Sequence, residues 1–421
     1  MIERATSDAR IAQAARASYG RLVAILSARS GDIAAAEDSL AEAFRRALES
    51  WPRSGVPANP EAWLLTVARN HARDVARSAS ARLASPLDVA RLDIAAMSID
   101  PLAIPDERLK LMFACAHPAI DEMVRTPLIL QTVLGLEAAE IGAAFLVPGA
   151  TMAQRLVRAK QKIKAARIPF VIPDRQEMPE RVDAVLEAIY GVYSVHWIEG
   201  SHGGLRGARD LNAEALFLSR LLADLLPDNP EVLGLAALIG FSEARRDARR
   251  DEDGGYLPLD RQDTTRWNGS LLTEAELCLS RANAMGRIGR FQLEAAIQSV
   301  HAARRTSGQT DWSALVVLYE GLLRLSPSVG GAVGLAAALG QSGEPGHGPA
   351  AGLALLDAFR DQIGDDFQPA WATRGNLQAA MGASREARES LSRAIALTTD
   401  PTVAAFLHGL IGRLPHGGLS S

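Results

Sequence analysis

The 421-residue chain has little cysteine, few aromatic residues and no large surplus of either charge. Cys115 and Cys278 are its only cysteines, too few and too far apart in sequence for a disulfide framework or a four-ligand zinc site. Cys115 and His117 together supply only half of a metal site. No uninterrupted apolar run approaches the roughly 18 residues of a membrane span. The opening segment MIERATSDAR is polar, so a cytoplasmic protein with no membrane partner is expected. GxSxG, HExxH and P-loop spacings are all missing, and the glycines of GSHGGLRG lack the following Lys-Ser/Thr. A calcium loop starting at Asp251 needs Gly at its sixth position and Glu at its twelfth, where the chain has Tyr256 and Gln262. No catalytic residue, metal or cofactor is therefore expected, and the chain reads as a non-enzyme.

What is present is helical. Hydrophobic residues make up 48% of the chain and charged residues 22%, enough for well-packed cores in several domains. Against a net charge of -4, residues 148–167 (PGATMAQRLVRAKQKIKAAR) carry six Lys/Arg and no acid. A basic helix on an acidic chain calls for an acidic partner. On a helical wheel Met152, Leu156, Ala159 and Ile163 form an apolar stripe, with Thr151, Arg155, Arg158 and Lys162 on a neighbouring one. Upstream, the pattern predicts a helix closing at Gly135, a short helix over 138–145 with Ile141 inward, and a tight turn at Val147, Pro148 and Gly149. That is a helix-turn-helix whose second helix is the basic one. In such a unit the first residues of the second helix face base edges and the later basic residues face phosphates. Thr151, Gln154 and Arg155 are then expected to read bases, with Arg158, Lys160, Lys162 and Lys164 on the backbone.

Near the start, Asp32 is placed to cap a helix over 32–51 whose inner face carries Ile33, Leu40, Phe44, Ala47 and Trp51. Asp38, Glu42, Arg45, Arg46 and Glu49 lie on its outer face. After the loop RSGVPANP, the helix EAWLLTVARNHARDVAR puts Leu64, Val67, His71 and Val75 on one stripe and Thr66, Asn70, Arg73 and Arg77 on another. His71 is expected as a partly buried core residue, not a ligand.

These two blocks, AEDSLAEAFRRALESWP…NPEAWLLTVARNHARD and LGLEAAEIGAAFLVPGATMAQRLVRAKQKIK, resemble regions 2 and 4 of extracytoplasmic-function sigma factors in order and spacing. The resemblance covers roughly 5–80 and 106–168 and implies an all-α fold. It implies region 2 over 1–80, a linker over 81–105, region 4 over 106–168, a second linker over 169–180 and a C-terminal unit over 181–415. Core RNA polymerase (β′ clamp and β flap) and promoter DNA are the implied partners. By position, Asp38, Glu42 and Arg45 would dock on the polymerase. Arg53, Asn59, Trp63, Thr66, Asn70, Arg73 and Arg77 would contact a minus-ten element, and the helix-turn-helix an upstream element. Two positions depart from the family pattern. Glu137 stands where Ser or Thr usually caps the short helix, which predicts a lost capping box. Gly149 stands where an acidic residue is common, which predicts a looser turn.

Beyond the proline-punctuated IPFVIPDRQEMPE, three stretches end alike: LSRLLADLLPDNPEV, VLYEGLLRLSPSV and LSRAIALTTDPTV. Each is a helix stopped before another, the pattern of tetratricopeptide-like repeats, which take a peptide or protein partner. Sigma factors of one group carry such an extension, and DGGYLPLDRQDTTRW resembles that group's signature through Asp253, Gly254, Gly255, Tyr256, Leu257, Gln262, Asp263 and Trp267. Two roles are open for it: an ordered loop with Trp267 packed inward, or a regulatory contact loop. An ordinary helix-turn-helix regulator with a repeat-type sensing domain is the alternative for the whole chain, and it leaves region 2 unexplained.

Overall fold

The computed structural model describes residues 19–83, 104–174, 176–199 and 211–415. The described residues are helical with no strand, and a single antiparallel bridge joins Arg250 to Tyr256. They fall into two compact units, Met1–His196 with Gly204–Glu214, and Trp197–Gly203 with Ala215–Ser421.

In unit 1, helix α1 (19–30) is followed by α2 (Ile33–Ser54), whose N-cap Asp32 accepts from the Ala35 N–H at 3.1 Å. Ile33, Ala36, Leu40, Ala43, Ala47 and Trp51 are buried along one face, and Gly55 ends the helix at φ 81°. Helix α3 (Pro60–Leu83) starts behind Asn59, which accepts from the Ala62 N–H at 3.0 Å, and folds back on α2. Its buried positions are Leu64, Leu65 and Ala68; Val67 and His71 are half-buried, and Val75 is 53% exposed. The expected stripe therefore fails at Val75, because only the first turns of α3 face a partner helix. His71 Nδ1 lies 3.4 Å from Ser39 Oγ, a contact between the two helices.

The second half of unit 1 comprises α4 (Ile104–Cys115), α5 (Glu122–Thr132), α6 (Ala138–Ala144), α7 (Gly149–Ala165) and α8 (Pro179–Glu199). Leu109, Met112, Phe113, Leu128, Ile129, Ile141, Leu156 and Ile163 fill its core. Cys115 lies inside it, 3.4 Å from Thr132 Oγ1, and burial pushes its thiol up to about 12. Most of the expected 81–105 linker lies outside the described residues. The 169–180 linker does not separate the units: α8 stays with unit 1, where Thr126 Oγ1 donates to the Ala184 carbonyl at 3.4 Å. The division falls some 20 residues later, because α8 has a buried apolar face of its own in Val182, Val185, Leu186 and Ile189.

Unit 2 contains most of α9 (Leu211–Leu225), then α10 (Pro230–Glu243), α11 (Gly269–Ala284), α12 (Arg290–Ala302), the short α13 (Arg304–Ser307), α14 (Trp312–Leu325), α15 (Val329–Gln341), α16 (Pro349–Ala358), the short α17 (Arg360–Ile363), α18 (Gln368–Ala380), α19 (Ser384–Leu397) and α20 (Pro401–Arg413). From α10 onward each long helix packs on its sequence neighbours, the arrangement of a stacked helical array. Helix α10 is buried on every side, as its all-round apolar sequence requires. The three stretches that end alike in the sequence are places where one helix stops and a capped one restarts. Asn229, Ser328 and Asp400 accept the first free N–H groups of α10, α15 and α20.

Candidate nucleic-acid interface

The turn between α6 and α7 is built on close backbone approach. A Cβ on Gly142 would stand 2.6 Å from the Val147 carbonyl, and one on Gly149 3.1 Å from Ala139 Cα. Gly149 is thus the first helical residue and a contact point between the helices, and it tightens the motif instead of loosening it. The turn itself lies at 145–148, where Leu146 adopts φ 54° and is 94% exposed. The expected loss of the capping box is also corrected: Glu140 accepts from the Glu137 N–H at 2.7 Å.

Met152, Leu156, Ala159 and Ile163 seat α7 on the core. Thr151, Gln154, Arg158 and Lys162 are exposed and Arg155 is half-buried. Arg155, Arg158 and Lys162 line a groove of about 400 Å³ with Ile120, Asp121 and Met123. None of the three has an ion-pair partner among the described residues, so even with Asp121 on its wall the groove keeps a net positive charge for an anion. Lys160 departs from its expected role. It is buried, and its Nζ donates to both Glu37 carboxylate oxygens at 2.6 and 2.7 Å. Lys164 pairs with Asp32 at 2.7 Å. Burial works against the charge of Asp32, but the Lys164 hydrogen bond and the Ala35 amide outweigh it and hold the carboxyl below its usual range. Lys160 stands four residues after Leu156 and three before Ile163, on the buried side of α7, and the sequence could not show an acid 123 residues away. Val157, 53% exposed beside Arg158, escaped the sequence reading; its signal was an apolar residue off the buried stripe.

On α2, Asp38 is exposed, while Glu42 takes hydrogen bonds from both Arg45 and Arg46 that hold its carboxyl down at about 2. Arg45 also reaches Glu49, so this face is a chain of alternating charges. Arg53, expected on the loop, lies in the last turn of α2, because the helix runs on to Ser54; it, Asn59 on the loop, and Thr66, Asn70 and Arg77 on α3 are exposed, and Arg73 is half-buried. Arg77 reaches Asp74 at 3.7 Å, Thr66 bonds its own helix, and Trp63 packs edge-on against Trp51 with centroids 5.4 Å apart. Arg69 was missed: its buried Nε has no hydrogen-bond partner, and burial, then Arg29 and Arg73, depress its proton affinity. Arg29, Arg69 and Arg73 thus form a second cationic cluster.

The signature loop of unit 2 joins α10 to α11 and packs on both α13 and α20. Trp267 is buried under the Arg304 guanidinium, which donates to the Leu259, Asp260 and Gln262 carbonyls. Gln262 Nε2 donates to the Leu257 carbonyl at 3.2 Å, and Asp263 caps the Thr264–Arg266 turn. Gly254 supplies the left-handed residue (φ 81°) and Gly255 donates to Asp251 at 2.6 Å. Arg250 bonds Gly254 and Thr402, and Tyr256 stacks edge-on with Phe406, so the loop ties the first helices of the array to its last. Asp253 and Asp263 remain exposed.

Residues 15–82 match the sigma-70 region 2 family, and residues 181–283 match a family of unknown function, DUF6596. The uncharacterized protein R00370 of Rhizobium meliloti is 36% identical over 88% of this chain and 88% of its own length. The probable ECF RNA polymerase sigma factor SigI of Mycobacterium tuberculosis is 29% identical over 39% of this chain and 58% of its own length. The probable RNA polymerase sigma factor RfaY of Xanthomonas campestris is 31% identical over 35% of this chain and 40% of its own. No solved structure matches. The chain thus carries a sigma-70 region 2 across α1–α3, is homologous to extracytoplasmic-function sigma factors over that part, and is similar to the R. meliloti protein through its C-terminal extension as well.

Proposed function

We propose that the chain is a promoter-specificity subunit that binds core RNA polymerase through α2 and reads promoter DNA with α3 and α7, while unit 2 modulates its activity. The observation that carries this reading is the co-occurrence, in one unit, of a sigma-70 region 2 and a helix-turn-helix that turns Arg155, Arg158 and Lys162 outward. Thr151, Gln154 and Arg155 are the candidates for base edges, Val157 for a thymine methyl, and Arg158 and Lys162 for phosphates. Arg29, Arg69 and Arg73, with Arg53, Asn59, Trp63, Thr66, Asn70 and Arg77 nearby in sequence, would hold a melted strand along its backbone. Unit 2 mixes acids and arginines along its sequence, as in EARRDARRDED, so it offers no single-sign acidic face to imitate DNA. Its role is assigned to positioning, through a peptide or protein partner of the array. Reversing charge at Asp38 and Glu42 tests polymerase docking. The expected outcome is loss of co-purification with core enzyme at unchanged circular dichroism; normal co-purification rejects the assignment.

A further inference from the structure

Within unit 2, helices α16–α19 enclose a cavity of about 580 Å³, the volume of a small-molecule site, away from every surface assigned to DNA or polymerase. Leu356, Ile363 and Trp371 give it an apolar wall, and its charges are sorted by sign along α19. Glu386 and Glu389 line it from the first two turns of that helix and Arg393 from the third. Glu386 and Arg393 are therefore about 10 Å apart along the helix axis. Arg393 and the Trp371 indole both donate to the Asp365 carbonyl, at 3.4 and 2.9 Å, which brings the 360–365 segment, with Arg360, to the cationic end. Glu389 and Arg393 have the i, i+4 spacing of a helical ion pair, yet they turn apart. Glu389 reaches back to Arg385 at 3.7 Å and Arg393 onward to Asp366 at 3.4 Å. Arg360 and Glu386 are exposed and have no ion-pair partner among the described residues. Between the two ends, Ser390 donates to the Gln378 side-chain oxygen at 2.7 Å, which leaves the Gln378 amide nitrogen for an acceptor on a ligand.

We propose that this cavity binds a short peptide with both termini free, its ammonium at Glu386 and Glu389 and its carboxylate at Arg360 and Arg393. The proposal rests on the reading of unit 2 as a regulatory array and gives its partner a chemical class. An extended chain advances about 3.3–3.6 Å per residue, so two or three residues span the roughly 10 Å between the acidic and the cationic end. A peptide bond supplies the carbonyl that Gln378 can meet, and an apolar side chain fits the wall of Ile363 and Trp371. A single amino acid is too short to meet both ends. An internal segment of a protein carries neither terminal charge on its backbone, so it would leave both ends of the cavity unanswered.

The test is titration calorimetry on the full chain with the tripeptide Ala-Leu-Ala, its N-acetyl form, its C-terminal amide and free leucine. The free tripeptide should bind, and each blocked form and leucine should bind about tenfold more weakly or worse, because each loses a charged hydrogen bond at one end. In Glu386→Gln the penalty for acetylation should shrink while that for amidation stays, and in Arg360→Gln the reverse should hold. Both side chains are exposed, so both variants should keep the wild-type circular dichroism. Absence of binding by the free tripeptide at millimolar concentration overturns the proposal. So does equal binding of the blocked forms, which would mean a partner held by its side chains, or equal binding of leucine. Penalties that do not separate between the two variants overturn the placement of the termini. No polymerase enters this measurement, so a chain that binds the tripeptide as expected but supports no promoter-specific transcription keeps the site and loses the sigma-factor reading.

Discussion

Unit 1 and unit 2 are both rich in arginine, and the groove on α7 uses its cations differently from the helical array of unit 2. In unit 2, Arg304 is bonded to three backbone carbonyls, Arg388 to the carbonyls of Leu414 and Ile411, Arg374 to Asp357 and Arg250 to Gly254 and Thr402. These guanidiniums hold loops to helices or, at Arg374, one helix to another. In unit 1, Arg155, Arg158 and Lys162 share one groove with a single acid, Asp121, and none of the three is ion-paired among the described residues. A count of basic residues would not separate the two units. What marks a nucleic-acid surface is charge without an internal partner, since only such charge can release counterions from a phosphate backbone.

That contrast can be broken at single residues, beginning with the largest expected effect. Arg304→Met should destabilise unit 2 by about 3–4 kcal/mol, because three carbonyls of the signature loop lose charged donors and Trp267 loses its cover. Denaturant unfolding would measure this, and DNA affinity should not change at temperatures where the variant is folded. Next is a pH effect on unit 2. Burial, then Arg245 and Arg304, lower the His301 imidazole to about 4. The unfolded chain takes up this proton near pH 6.5 and the folded chain does not, so stability is complete above about 6.5 and falls by up to about 3 kcal/mol as pH drops towards 4. His301→Gln should flatten that part of the unfolding profile.

Effects in unit 1 should be smaller and should appear in binding. Arg155→Ala is expected to cost about 1–3 kcal/mol on specific DNA and less on random sequence. Lys162→Ala should weaken all sequences alike and lower the salt slope by about one. Both should leave stability within about 0.5 kcal/mol. Equal losses on specific and random DNA for both variants would erase the division of α7 into base-reading and phosphate-gripping residues.

Much of this was legible in the sequence because it depends on near neighbours. The helix-turn-helix, the buried stripe of α7, the cap at Asp32 and the restarts at Asn229 and Asp400 follow from local period and capping chemistry. What escaped depends on distant partners. Lys160 looked like its neighbours until Glu37 stood opposite, and Val75 looked like core until α3 outran its partner helix. The Gly149 contact needed the position of Ala139, and Arg69 needed Arg29 on another helix. Likewise the signature loop's choice of α13 and α20 as neighbours is long-range.

The central claim is that this chain selects promoters for RNA polymerase, and transcription from a randomised promoter library by core enzyme with and without the protein tests it most directly. The account predicts new transcripts whose start sites share a sequence motif upstream, with base preferences at the distal element that relax in Arg155→Ala. Transcripts no more abundant than with core enzyme alone, or start sites without a shared motif, would contradict it.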